Sequence, residues 1–150
     1  MEIVSTGETW TIDVAADMPG ITEVEGGTYA LMAHPNDYME DYDIAVKVLS
    51  TVISTPRRGV AIGDVGTRAL ASPLGVLPAI DGDLDVKVES LFDEHILLRS
   101  QGEMPLKLGD KFLLSSGHQD ITVNRWDRFI GIRDGKVEAL FDILARGCHN

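Results

Sequence analysis

The sequence predicts a mainly β fold, an antiparallel barrel or sandwich with few short helices, and three observations carry that expectation. Helical periodicity is scarce outside residues 38–48. Short period-two runs of Val, Ile, Leu and Thr recur between Gly, Pro and Asp turn signals. One of those turns, Asp134-Gly135, lies between two such runs, where Asp-Gly supplies the positive φ angles of a type I′ hairpin.

In chain order, the first strand is expected over Glu23 to Met32, followed by Val46 to Ser54 and Val60 to Asp64. Asp85-Val86-Lys87-Val88-Glu89 alternates strictly, with valines on one side and charges on the other, as a half-buried sheet requires. That strand continues through Leu91 and Phe92, and His95 to Ser100 forms the next. Pro105 marks a loop, and Leu108-Gly109-Asp110 is the turn into Lys111 to Ser115. The hairpin itself joins Arg128 to Arg133 with Lys136 to Ile143. Seven or eight such strands suit a barrel or sandwich. Two longer stretches read as loops: residues 33–45, with one helical turn around Tyr38 to Tyr42, and Ala71 to Leu84, which holds Pro73, Gly75, Pro78 and Gly82.

A chain of 150 residues, 44% of them apolar, matches one globular domain, which at this size removes about 70% of its unfolded surface from water. Its 24 acidic against 13 basic residues give a net charge of −11, and Arg57-Arg58 is the only adjacent basic pair. Such a surface repels phosphate backbones and acidic lipid head groups, so neither nucleic acid nor membrane is an expected partner. Cys148 stands alone, which excludes an internal disulfide and a multi-cysteine zinc cluster. With no membrane-length apolar run and no secretory start after Met1, a cytoplasmic protein is expected.

Of the four histidines, His34, His95, His118 and His149, only His118 has a carboxylate at a spacing that suggests cooperation, namely Asp120. On an extended segment residues i and i+2 project to the same side, so an imidazole nitrogen and a carboxylate oxygen could share one cation. Gly117 would let the chain turn just before the pair. Two protein ligands leave the remaining positions to water and substrate, as an open catalytic site requires. The same spacing also fits an exposed loop histidine followed by a capping aspartate. Near the start, the small and hydroxyl residues of Val4 to Thr11, with Gly7 and Thr9 among them, fit a loop that cradles an anion, although Glu8 would repel one. They fit a plain polar lead-in as well. Trp10 and Trp126 read as packing anchors, Tyr29 as a core or interface residue, Asp64 as a strand-end cap and His95 as a surface residue.

Taken in order, these pieces resemble one family, the D-threonine aldolases and the related eukaryotic-type D-serine dehydratases. Val4-Ser5-Thr6-Gly7-Glu8-Thr9 resembles the family's Val-Ser-Gly-Gly-Gly-Thr, where its pyridoxal-phosphate-binding α/β barrel ends. Gly20-Ile21-Thr22-Glu23-Val24 and Gly26-Gly27-Thr28-Tyr29 are similar to the segments leading into its carboxy-terminal β-domain. Val52 to Pro56 and Asp64-Val65-Gly66-Thr67-Arg68-Ala69-Leu70 follow in family order. Gly117-His118-Gln119-Asp120-Ile121-Thr122-Val123-Asn124 resembles the metal-site segment, and Asp127-Arg128, Arg133 to Val137 and Ala145-Arg146-Gly147 complete the series. Glu8 and Thr6 replace family glycines, and Ala33-His34 stands where the family commonly has Met-Asp.

The resemblance implies residues 1–21 as a remnant of the cofactor barrel and residues 22–150 as the β-domain of an alanine-racemase-like enzyme. The remnant is expected to form a poorly anchored arm, since its barrel partners are absent. It also implies His118 and Asp120 as ligands of a divalent metal, His118 as the catalytic contribution of this domain, and Gly7 and Thr9 as cofactor-binding. His-x-Asp is the aldolase form of the motif, whereas dehydratases usually show His-x-Cys. An oxygen ligand suits Mn²⁺ or Mg²⁺, and a thiolate would favour Zn²⁺, which stays the third choice. The implied activity is metal-assisted retro-aldol cleavage of a D-3-hydroxy amino acid, with pyridoxal phosphate as the electron sink. The cofactor lysine belongs to the barrel, and Lys47, Lys87, Lys107, Lys111 and Lys136 match no such position. Pyridoxal phosphate is therefore expected only in a complete enzyme, with the barrel and the substrate as partners and a homodimer as a further assembly. Loss of the β-hydroxyl as water, or a stand-alone metal-binding module, are the rival readings.

Overall fold

The computed structural model describes residues 2–148. The chain opens with a small unit in which β1 (Ser5–Thr6) lies parallel to β2 (Glu23–Val24), connected by a 3-10 helix over Thr9–Thr11 and helix α1 (Ile12–Ala16). Val4 donates its N–H to Thr22 Oγ1 at 2.8 Å. The opening residues therefore join a short sheet with residues 22–24, where a poorly anchored arm was expected.

The alternating runs that follow form β3 (Val48–Arg57), β4 (Val60–Gly63), β5 (Ala79–Ile80), β6 (Lys87–Leu91), β7 (Ile96–Arg99) and β8 (Lys111–Ser115). They build one antiparallel six-stranded sheet in the order β5-β8-β3-β4-β7-β6. Its end strands β5 and β6 approach each other, so the sheet nearly closes into a barrel. Strand alternation then sends one side chain in two to the inside. Val48 pairs with Leu114, Ala61 with Leu98 and Gly63 with Ile96, and Ala61, Ile96, Leu98 and Leu114 are all 0% exposed. Leu70, also at 0%, enters this core from the loop after β4. Each fully buried aliphatic side chain of this kind contributes about 1.5–3 kcal/mol.

The hairpin stands as a separate two-stranded sheet of β9 (Arg128–Arg133) and β10 (Lys136–Asp142). Asp134 at φ 50° and Gly135 at φ 71° make the expected turn. Three expectations change. The strand over Glu23 to Met32 shrinks to β2, because Gly26-Gly27 interrupts it and the N–H of Tyr29 goes to Thr9 Oγ1 at 3.0 Å, outside any ladder. A 3-10 helix then covers Thr28–Ala30, and another covers His34–Asn36, nucleated by Pro35. Finally, residues 119–123 form helix α2 (Gln119–Val123) rather than extended chain.

Candidate functional site

The segment after β8 is locked by contacts from two distant loops. Gly117 donates its N–H to the Ala71 carbonyl at 3.2 Å, and a Cβ on Gly117 would lie 2.3 Å from the Val76 carbonyl oxygen. No side chain fits there without moving backbone. His118 follows as the extended N-cap of α2, with φ −163° and ψ 115°. Its N–H donates to Ser116 Oγ at 3.1 Å and its carbonyl accepts the N–H of Thr122 at 3.2 Å. Thr122 Oγ1 in turn accepts the buried Ala71 N–H at 2.9 Å, and Gln119 Nε2 donates to Thr28 Oγ1 at 3.2 Å. Trp126 Nε1 donates to the Ala69 carbonyl at 2.9 Å, so this tryptophan anchors the exit of α2. Neither tryptophan is the packing anchor expected from the sequence, since Trp126 is 41% and Trp10 47% exposed, and Trp126 holds by its hydrogen bond alone.

His118 is half-buried, and its Nδ1 is buried without a hydrogen-bond partner. Asp120 is exposed in the first turn of α2. Because that turn is helical, strand alternation does not bring the two side chains to one side, and residues two apart on a helix do not face each other. A shared cation would have to be reached through the rotamers of the two side chains. Among the described residues no group of three or more His, Cys, Asp or Glu converges on one point. The donors that this segment has to offer are one imidazole and one carboxylate.

Beside this loop lies a pair that the sequence reading missed. The His34 N–H donates to the Ser116 carbonyl at 3.2 Å, and His34 Nδ1 lies 3.0 Å from Asp37 Oδ2. Its local signal is a carboxylate three residues after a histidine, too common a spacing to stand out. His95 sits on the outer surface, as expected, and His149 lies outside the described residues. Asp64 keeps the strand-end role read from the sequence. Its Oδ1 accepts the Thr51 N–H at 2.7 Å and the Ser50 hydroxyl at 2.9 Å, and these bonds, Thr51 foremost, hold its carboxyl below the usual range against the opposing effect of burial.

In the opening loop, Gly7 has φ +86°, and a Cβ there would sit 2.9 Å from both the Ala15 Cβ and a Val24 methyl. Thr9 is 1% exposed. Local packing thus accounts for both residues. Tyr29, 51% exposed, faces Tyr42 with ring centroids 6.3 Å apart. No helix among the described residues is long and apolar enough to cross a membrane.

Comparison with known proteins gives a consistent result. The family model of the serine dehydratase domain, D-ser_dehydrat, matches residues 45–132. A 3-hydroxy-D-aspartate aldolase of Paracoccus denitrificans is 31% identical over 156 residues, covering 97% of this chain and 40% of its own length. A D-threonine aldolase of Arthrobacter sp is 31% identical over 152 residues, with the same two shares. The crystal structure of D-threonine aldolase from Filomicrobium marinum superposes with a TM-score of 0.90 at 30% identity, over 99% of this chain and 42% of that one. This chain spans about 40% of the length of the curated relatives it matches. By family model, sequence and fold together, it belongs to the D-threonine aldolase and D-serine dehydratase-like family of fold-type III pyridoxal-phosphate enzymes, with the fold of their carboxy-terminal β-domain.

Proposed function

We propose that this chain is the metal-site domain of a lyase that cleaves D-3-hydroxy amino acids to glycine and an aldehyde, using a divalent cation and pyridoxal phosphate. The observation that supports this reading most directly is His118, an imidazole on a loop fixed by Ala71, Val76 and Thr122 whose buried Nδ1 has no hydrogen-bond partner. Buried polar atoms are nearly always paired, so an unpaired ring nitrogen on a loop held by hydrogen bonds has room for a partner, and a metal ion is one that suits imidazole. Asp120 adds an oxygen donor, and the pair fits Mn²⁺, Mg²⁺ or Zn²⁺ with most coordination positions open. When bound, the cation lowers the pKa of the substrate's β-hydroxyl and pyridoxal phosphate takes up the electrons of the breaking Cα–Cβ bond.

The residues of this chain supply position. Gly117, tight against backbone, and Thr122, tied to Ala71, keep His118 from shifting, and positioning errors of about 1 Å can cost about 100-fold in rate. Gly7 and Thr9 are the proposed phosphate contacts once a cofactor barrel covers them. Thr9 Oγ1 already accepts from Tyr29 and the side chain is 1% exposed, so a phosphate contact there requires the opening loop to move. A cofactor barrel carrying the lysine is the proposed partner, and a D-3-hydroxy amino acid the proposed substrate.

Calorimetric titration of Mn²⁺ into the chain and into His118→Ala tests the site. The variant should bind more than about 10-fold more weakly, since even outer-shell partners of metal ligands are worth about 10–100-fold. Superimposable curves would remove His118 from the metal site. With D-threonine, pyridoxal phosphate and Mn²⁺, the chain by itself should release no glycine or acetaldehyde above the free cofactor and metal. Addition of a D-threonine aldolase barrel should restore cleavage that His118→Ala abolishes. A 2-oxo acid and ammonia in that mixture would favour the dehydratase reading, which the name of the matching family model supports. Metal binding without any product would favour a stand-alone metal-binding module.

A further inference from the structure

The turn between β3 and β4, which holds the Arg57-Arg58 pair, and the loop after β7 border an open pocket of about 440 Å³. It lies at the far end of β3 from His118. Val48 at the start of this ten-residue strand pairs with Leu114, just before the His118 segment, and Arg57 at its other end is about 30 Å further along. The exposed Arg57, Arg58 and Lys107 line the pocket together with the half-buried Met104 and the buried Leu106. Backbone contacts tie its frame together. Gly59 has φ +68°, and a Cβ there would lie 2.8 Å from the Ser100 carbonyl oxygen, a closeness of approach that only glycine permits. Ser100 donates its N–H to the Gly59 carbonyl at 2.9 Å and its hydroxyl to the Glu103 carbonyl at 3.1 Å. The Lys107 N–H donates to Asp110 Oδ2 at 2.8 Å.

The charged heads on this frame are free. Lys47, Arg68, Arg99, Arg128, Arg133 and Arg146 are each held in an ion pair with Asp or Glu, whereas among the described residues none of Arg57, Arg58 and Lys107 makes an ion pair or a side-chain hydrogen bond. Of the nearby acids, Asp110 is turned to backbone, and Glu89, which Arg57 also influences, is taken up by Nε and Nη2 of Arg99. Glu103 alone lines the pocket, so three positive groups face one negative in a chain of net charge −11. At physiological ionic strength charges more than about 8 Å away are largely screened, so this local excess governs a small ligand even though the whole surface repels polyanions. We propose that the pocket binds a small organic anion with two negative charges on an apolar body, a phosphate monoester or a dicarboxylate. Arg57 and Arg58 present forks that match paired acceptor oxygens, and Lys107 adds a point charge. Met104 and Leu106 offer the surface for the apolar body, and the volume is in the range of small-molecule sites, about 300–1,000 Å³. This inference is independent of the metal-site reading.

Phenyl phosphate and phenylsuccinate, each titrated into the isotope-labelled 150-residue chain at about pH 8, where the ester is doubly ionised, test the pocket through amide chemical shifts. At least one of them should give saturable shifts at Arg58, Gly59 and Lys107, and which of the two binds more tightly tells the ester from the dicarboxylate. Inorganic phosphate, with no apolar body, should bind about 5-fold more weakly. Arg58→Ala combined with Lys107→Ala should weaken binding about 10-fold. Arg133→Ala combined with Lys136→Ala, which removes the same charge from the hairpin, should leave it unaltered, as should His118→Ala. All the pocket substitutions are at exposed positions, and an unchanged amide spectrum outside the pocket confirms the fold. Should the double variant disturb that spectrum, Arg57→Gln tests the same contact by itself. Absence of saturable shifts with both organic anions overturns the proposal. So does equal affinity for inorganic phosphate, and so does an equal loss in the pocket and hairpin variants, which would mean that only net charge is being read.

Discussion

The nearly closed sheet and the hairpin use the same construction, antiparallel strands with alternating aliphatic residues, and differ in what covers the apolar face. Ile96, Leu98 and Leu114 are 0% exposed inside the sheet, whereas Ile130 and Ile132, on an equally regular strand, are 61% and 67% exposed. Alternation decides which side chains share a face. Burial requires a second layer, and six strands curving on themselves provide one where two strands do not.

The largest effect should come from the closed side of this contrast. Leu114→Ala should destabilise the chain by about 2–5 kcal/mol, the range for truncating a fully buried leucine, read as a shift of the urea midpoint. The next largest joins the sheet to the site. Gly117→Ala would press a methyl group against the Val76 carbonyl, which should cost about 1–3 kcal/mol and weaken Mn²⁺ binding, while the same change at Gly102, where a Cβ meets nothing within 4 Å, should leave binding unaltered. Equal metal affinity in both variants would show that the clamp on His118 is irrelevant to the site.

A smaller effect belongs to Asp64, which ties β3 to the end of β4. Its folded pKa is lowered from 3.8, so its contribution to stability is present above that value and lost as pH falls through the lower folded one. The stability gap between the parent and Asp64→Asn should therefore be open at neutral pH and close in acid, as followed by thermal unfolding across pH. A gap that widens in acid would contradict the bonding described for Thr51 and Ser50. The smallest effect is expected on the open side. Leu140→Ala should change stability by less than about 0.5 kcal/mol. A cost approaching that of Leu114→Ala would mean that the hairpin is covered within a single chain.

Local pattern located much of the sheet. Lys111 to Ser115 and the hairpin around Asp134-Gly135 appear where alternation and turn chemistry place them, and β4, β6 and β7 agree within about two residues. The candidate site was legible as residues and not as geometry. His118 and Asp120 stand out by spacing and by family resemblance, but Ile121, Thr122 and Val123 are β-branched and favour extended chain. They turn into α2 because Thr122 Oγ1 satisfies the Ala71 N–H, 51 residues away, and Gln119 reaches Thr28, 91 residues away. The proximity of His34 to Ser116 is likewise a long-range backbone bond that no local spacing encodes.

Alternation, turn residues and charge are properties of neighbouring residues, so the sequence by itself determined the β character, the hairpin and the acidic composition. Closure of the sheet, the helical setting of Asp120, the buried unpaired Nδ1 of His118 and the exposure of the hairpin face depend on which distant groups meet. Only the tertiary structure decided them, because a hydrogen bond or an apolar contact made across 50 or more residues outweighs the weak local preference of a five-residue segment.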